Sequence, residues 1–160
     1  IAVIGAVFGV LLSFMAGESY LMEARPNWCS QLLPLGYLLT AVPEGIAAYL
    51  VVVAAKAKGA DVAPYGRALL VGGVLAAVGA AAYVLWAGPA DGVQWALLVV
   101  AVLGAGVVPV ACGALLGKKP ESLVAMAGGS LACAFVGAVS YRCIMWLITV
   151  PIANLFLNVL

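Results

Sequence analysis

Two ionisable residues, Glu44 and Arg142, stand inside apolar runs long enough to cross a bilayer, in a chain of 160 residues that has no histidine. Charged side chains at that depth are costly, so they face a bundle interior or a hydrated cavity and mark a binding site or a pathway. An acid and a base side by side offset each other's charge, and a carboxylate left over can accept a proton. Glu18, Tyr20, Tyr37, Ser140 and Tyr141 widen this set of polar groups inside or at the ends of the same runs.

Helix rise and side-chain direction decide whether these groups can meet. Glu44 lies 13 residues after Gln31, about 20 Å from the outer end of its span, and Arg142 lies 8 residues before Val150, about 12 Å from the same surface. Each Cα–Cβ bond leans toward its own helix N-terminus, so Glu44 on an inward-running span leans outward and Arg142 on an outward-running one leans inward. The two heads converge. Glu18, near the end of the first span, leans toward the same level, which puts Arg142 between two carboxylates with one negative charge to spare. Pro43 frees a backbone carbonyl beside Glu44, and Pro34 adds irregularity to the same span. The bland alternative has Arg142 snorkelling to the interface, Glu44 uncharged and Glu18 simply hydrated.

The elements that must position these residues follow from composition and punctuation. Apolar residues make up 67% of the chain, charged ones 8%, and mean hydropathy is +1.24, against roughly half apolar and a quarter charged in a soluble domain. Such a chain is an integral membrane protein. Its net charge of +1 and scattered basic residues exclude a nucleic-acid partner. Five candidate spans emerge: 1–22, 31–55, 67–86, 95–116 and 122–150, interrupted at Glu23–Asn27, Lys56–Gly59, Gly88–Gly92 and Lys118–Glu121. They predict an all-α polytopic bundle forming a single transmembrane domain over 1–160, because the runs lack the alternation of barrel strands. The chain opens at Ile1 inside an apolar run, without a basic n-region or cleavage site, and reads as a piece of a larger membrane protein.

Lys56, Lys58, Arg67, Lys118 and Lys119 fall on one side and only Arg25 on the other, which places the N-terminus inside and the C-terminus outside. Trp28, Trp86 and Trp95 then gather at the outer interface. Gly5 with Gly9, Gly113 with Gly117, and the run Gly72, Gly73, Ala76 and Gly79 offer small-residue faces for close helix packing. The four cysteines include no CxxC pair; without histidine, neither a zinc site, a cysteine-ligated cluster nor a histidine-ligated haem can be built from this chain alone. If the protein handles electrons, another subunit holds the metal.

The stretch Ala24-Arg25-Pro26-Asn27-Trp28-Cys29-Ser30-Gln31-Leu32-Leu33-Pro34, with its Pro-x-Trp loop leading into a span with an early proline, resembles a signature of the DmsC/NrfD-type membrane subunits. Gly137, Arg142 and Trp146 resemble the same family's final helix. The resemblance implies the C-terminal part of an eight-span anchor subunit of a molybdopterin oxidoreductase, typified by anaerobic dimethyl sulfoxide reductase, in a bacterial plasma membrane. Such a subunit oxidises menaquinol and passes the electrons to an iron–sulfur subunit, which feeds the molybdopterin catalytic subunit; it holds no haem and no metal. On that reading Glu18, Glu44, Arg142, Tyr141 and Tyr20 form the quinol and proton site, and Arg25 with Trp28 the docking surface for the partner. Ala138 stands where one branch of the family carries a glutamate, and the histidine linked with quinol chemistry there belongs to the N-terminal half. The residues alone also admit a small transporter or channel half with a buried Glu44–Arg142 pathway.

Overall fold

The computed structural model describes residues 2–56, 61–116, 118 and 120–148. Expectations resting on Lys58, Gly59, Gly117, Lys119 and the end of the last span at Val150 lie outside the described residues. The described chain is helical: α1 (Ala2–Glu18), a 3-10 turn (Pro26–Trp28), α2 (Leu32–Lys56), α3 (Ala63–Ala87), α4 (Gly92–Ala101), a π segment (Val102–Val107), α5 (Val108–Leu116), a 3-10 turn (Pro120–Ser122) and α6 (Leu123–Leu147). The stretch Gly92–Leu116 runs as one 25-residue span, and with α2, α3 and α6 it makes four helices long and apolar enough to cross a membrane. Each is about 37 Å long, against the roughly 30 Å of a hydrocarbon core. The protein is an all-α, multi-pass membrane bundle.

Local chemistry sets the helix ends. α3 begins four residues before Arg67 because the Asp61 carboxylate accepts from the Ala63 N–H at 3.0 Å and Pro64 occupies the first turn, where a missing N–H costs nothing. It stops at Gly88, which takes φ 75° while its N–H bonds the Val84 carbonyl, and Pro89 follows. α4 starts at Gly92 under an Asp91 cap that accepts from the Gln94 N–H at 2.8 Å, with Gln94 Oε1 reaching back to the Ala90 N–H, a variant of the capping box. Asp91→Ala should therefore lower stability by about 1 kcal/mol, read as a fall in the melting midpoint of the purified protein in detergent. α1 ends at Glu18 rather than at Met22. Tyr20 and Leu21 close its last turn with bonds to the Gly17 and Glu18 carbonyls, leaving a 17-residue helix.

Two prolines act differently on their helices. Pro43 is buried inside an unbroken α2; one turn earlier, the Thr40 hydroxyl is drawn back to the Gly36 and Tyr37 carbonyls at 2.8 and 3.2 Å. Pro109 cannot donate to the Ala105 carbonyl. There the helix widens, and the Val108 N–H bonds the Leu103 carbonyl five residues back, a π-type bond.

α3 sits between α2 and the α4–α5 span, α6 packs across α2 and the π segment, and α1 lies on α2. Gly72 and Gly79 face Val42 and Leu39 of α2, while Gly73 faces Gly106 and Pro109, so the small-residue run of α3 is used on two sides. Gly113 meets Gly66 of α3, whereas a Cβ at Gly5 or Gly9 would touch nothing within 4 Å. One core cluster gathers the large rings of Trp28, Tyr37, Tyr83 and Tyr141 at one end of the bundle; a second, around Leu50, Leu69 and Leu116, fills the other.

Candidate functional site

The ring-rich end is built on the carbonyls that every helix leaves open at its C-terminus. Three side chains, two from the Pro26–Trp28 turn and one from the first turn of α4, close those of α6. Trp28 Nε1 donates to the Met145 carbonyl at 2.9 Å, Gln94 Nε2 to Leu147 at 3.1 Å and Asn27 Nδ2 to Ile148 at 2.9 Å. Tyr83 on α3 donates to the Asn27 carbonyl at 3.0 Å and Tyr141 on α6 to the Leu33 carbonyl at 3.2 Å. The loops at Pro26 and Pro89 are thereby fastened to the end of α6, three to six residues beyond Arg142. Trp28→Phe keeps the ring and leaves the buried Met145 carbonyl without its donor, so unfolding in detergent should become easier by about 1–3 kcal/mol.

Around this fastening the aromatic rings form a connected set. Tyr20 lies 5.7 Å from Trp28, 5.9 Å from Trp146 and 6.0 Å from Tyr37, and Trp28 meets Trp146 edge-on at 5.0 Å. Tyr37 continues to Tyr141 at 5.9 Å and Tyr141 to Tyr83 at 5.6 Å, separations at which aromatic pairs attract. Gly36 is what lets Tyr141 in, since a Cβ there would strike the phenol.

Arg142 sits at the edge of this set. Its guanidinium lies over the Tyr37 ring, 4.8 Å from the centroid, a cation–π contact that gains strength where water is excluded. Glu44 and Arg142 are both half-buried. The structure thus assembles Tyr20, Tyr37, Tyr141 and Arg142, and Glu44 follows Tyr37 by seven residues on the same face of α2. The close partner of Arg142 is the Tyr37 ring rather than a flanking pair of carboxylates. Glu18 stands at the end of α1, its Oε2 buried and without a hydrogen-bond partner. Ser140 turns its hydroxyl to the Val136 carbonyl at 2.9 Å, within its own helix.

The expected docking residues divide. Trp28 is 2% exposed, with its N–H taken by Met145, so it works as an internal anchor. Arg25 is half-buried, its Cζ 4.4 Å over the Trp28 ring. Trp86 and Trp95 are exposed at 49% and 47%, as an interfacial belt requires, whereas Trp28 belongs to the core.

Asn27, Tyr83 and Gln94 escaped the sequence reading. Tyr83 had one signal, a lone phenol in a span of small aliphatic residues. The roles of Asn27 and Gln94 depend on where α6 ends, which their neighbours in sequence do not reveal.

Tyr37 and Tyr141 are 5% and 0% exposed, so the members of this set that reach the surface are Tyr20, Glu44 and Arg142, each half-buried. Among the described residues no three His, Cys, Asp or Glu side chains gather as a metal-binding group. No protein-family model, curated protein or solved structure matches the chain.

Proposed function

We propose that this bundle is a membrane anchor that oxidises a quinol within the bilayer and passes the electrons to an iron–sulfur subunit. The single observation that carries the reading is Arg142 lying over Tyr37 at a half-buried position of a membrane bundle, with Glu44 on the same face of α2 as Tyr37. A quinol brings an aromatic ring, two hydroxyl oxygens and an apolar tail. Its ring stacks beside Tyr20, Arg142 donates to one oxygen, and Glu44 takes a proton from the other. Oxidation of one quinol to quinone releases two electrons and two protons. The electrons leave to the iron–sulfur partner and the protons through Glu44 and Glu18.

Resemblance supports the remaining assignments: menaquinol as the quinol, a molybdopterin subunit as the terminal catalyst, and a bacterial plasma membrane as the site. The excess of Lys56, Arg67 and Lys118 over Arg25 supports an inside N-terminus and an outside ring-rich end, where Arg25 meets the electron-accepting subunit.

A fluorescent quinol analogue added to the intact protein in membranes should be quenched in a redox-dependent way, and Arg142→Gln should abolish most of that quenching. Equal quenching in both proteins would remove the site from this cluster. A second reading, half of a small transporter or channel, draws on the irregular backbone at Val102–Val107. Quinol-independent solute uptake into vesicles, lost in Glu44→Gln, would favour it instead.

A further inference from the structure

α1 and α2 touch at one end and part toward the other. A Cβ at Gly17 would run into the backbone of Pro34, whereas a Cβ at Gly5, Gly9 or Gly45 meets nothing within 4 Å. The wedge between the two helices is an open cavity of 430 Å³, lined by Ala6, Gly9 and Ser13 of α1 with Leu38, Ala41 and Gly45 of α2 among others. The Ser13 hydroxyl is turned back to the Gly9 carbonyl at 3.0 Å. The side chains of the wedge therefore present hydrocarbon.

Polar groups stand at its wide end. Tyr49 continues the same face of α2 one turn past Gly45. Its hydroxyl donates to that of Tyr65 on α3 at 3.4 Å, with the ring centroids 5.0 Å apart, and the two residues are 48% and 37% exposed. One phenol hydrogen is spent inside the pair, and Tyr65 keeps its own to donate outward. Lys56, exposed at the end of α2, lies seven residues beyond Tyr49 on that face. The separation is about 10 Å along the helix, and the Lys56 Cα–Cβ bond leans back toward the phenols. This is also the basic end of the bundle: the stretches 56–67 and 117–122 hold five basic residues against Asp61 and Glu121, whereas the opposite end has Glu18, Glu23 and Asp91 against Arg25.

We infer that the wedge and the phenol pair at its mouth bind an anionic phospholipid, with one acyl chain between α1 and α2 and the phosphate at Tyr65 and Lys56. Dimensions separate a lipid from a protein segment. A transmembrane helix is about 10–12 Å across and needs a seat along its length, whereas a gap of 430 Å³ that closes at Gly17 takes a chain of methylenes. Charge selects the headgroup, because a zwitterionic lipid brings its own cation to the phosphate and leaves Lys56 less to neutralise. The site is separate from Arg142: Glu44 precedes Gly45, and successive residues of a helix are turned by about 100°, so the wedge opens on another side of α2.

The test uses the intact protein in nanodiscs of equal phosphatidylglycerol and phosphatidylcholine with the same acyl chains, read by native mass spectrometry. One phosphatidylglycerol should stay bound in preference to phosphatidylcholine. Gly45→Leu places its side chain in the wedge, where a Cβ meets nothing, and should remove the bound lipid while circular dichroism stays helical. Lys56→Gln should cut the preference for phosphatidylglycerol about fivefold, the ratio that one lysine near an anionic headgroup sets. Tyr65→Phe should weaken retention roughly tenfold, as for one hydrogen bond to a charged oxygen. Lys56 and Tyr65 are exposed, so these two variants keep the test open should Gly45→Leu misfold. Equal retention of the two lipids, lipid retained in a folded Gly45→Leu protein, or the same thermal stabilisation by inorganic phosphate alone would overturn the inference. So would a dimer that Gly45→Leu breaks apart, which would give the wedge to a second copy of the chain.

Discussion

Gly137→Leu collapses the packing of α6 and removes the candidate site with it. A Cβ at Gly137 runs into the backbone of Gly104 and Ala105 and sits 3.0 Å from the Ala101 carbonyl oxygen. These are backbone atoms of a paired span, so no rotamer change relieves the contact, and overfilling such an interface costs about 3 kcal/mol or more. α6 must move away from the π segment. Arg142 lies five residues further along the same rigid helix, and Trp28, Gln94 and Asn27 are fastened to its end, so the ring cluster loosens as a unit. The melting midpoint in detergent should fall sharply, and redox-dependent quenching of a quinol analogue should disappear. Gly129→Leu is the control: a Cβ there meets nothing within 4 Å, and stability should change little.

Glu44→Gln separates proton transfer from binding. Glutamine fills the same space and keeps a hydrogen bond to the ligand, but it cannot take a proton, and a positioned general base contributes about 10²–10⁴-fold to such a step. Turnover with quinol should drop by about that factor while the analogue still binds beside Tyr20. Should binding and turnover fall together, Glu44 would hold the ligand or the helix in place, and the proton acceptor would be sought at Glu18.

The sequence was most legible where physics is one-dimensional. α2 runs from Leu32 to Lys56 against an expected 31–55, because lipid demands about 20 apolar residues and Lys56 ends them. The first turns of α3 and α4 were missed because Asp61, Pro64 and Asp91 are polar or helix-breaking residues that hydropathy discards and capping rewards. The π segment escaped because Pro109 alone announces only a lost hydrogen bond, while the choice between a kink and a widened turn depends on Gly104 seating against Gly137 across the bundle. Burial of Trp28 was equally invisible: a tryptophan near a span end reads as a belt residue, and only the open carbonyls of α6, more than a hundred residues away, make it an anchor. Helix direction brought Arg142 to the level of polar groups on α2, but its place over the Tyr37 ring, where a pair of carboxylates was expected, could not be read from it.

The site at Arg142 is the centre of the account, and quinol-dependent reduction by the intact complex in membranes, wild type against Arg142→Gln, tests it most directly. Loss of a hydrogen bond from a charged donor to a bound oxygen is worth about 1.5–3 kcal/mol, so kcat/KM for quinol should fall by roughly tenfold to a hundredfold. Assembly, judged by co-purification of the partner subunits, should persist. Unchanged turnover in a fully assembled Arg142→Gln complex would contradict the account.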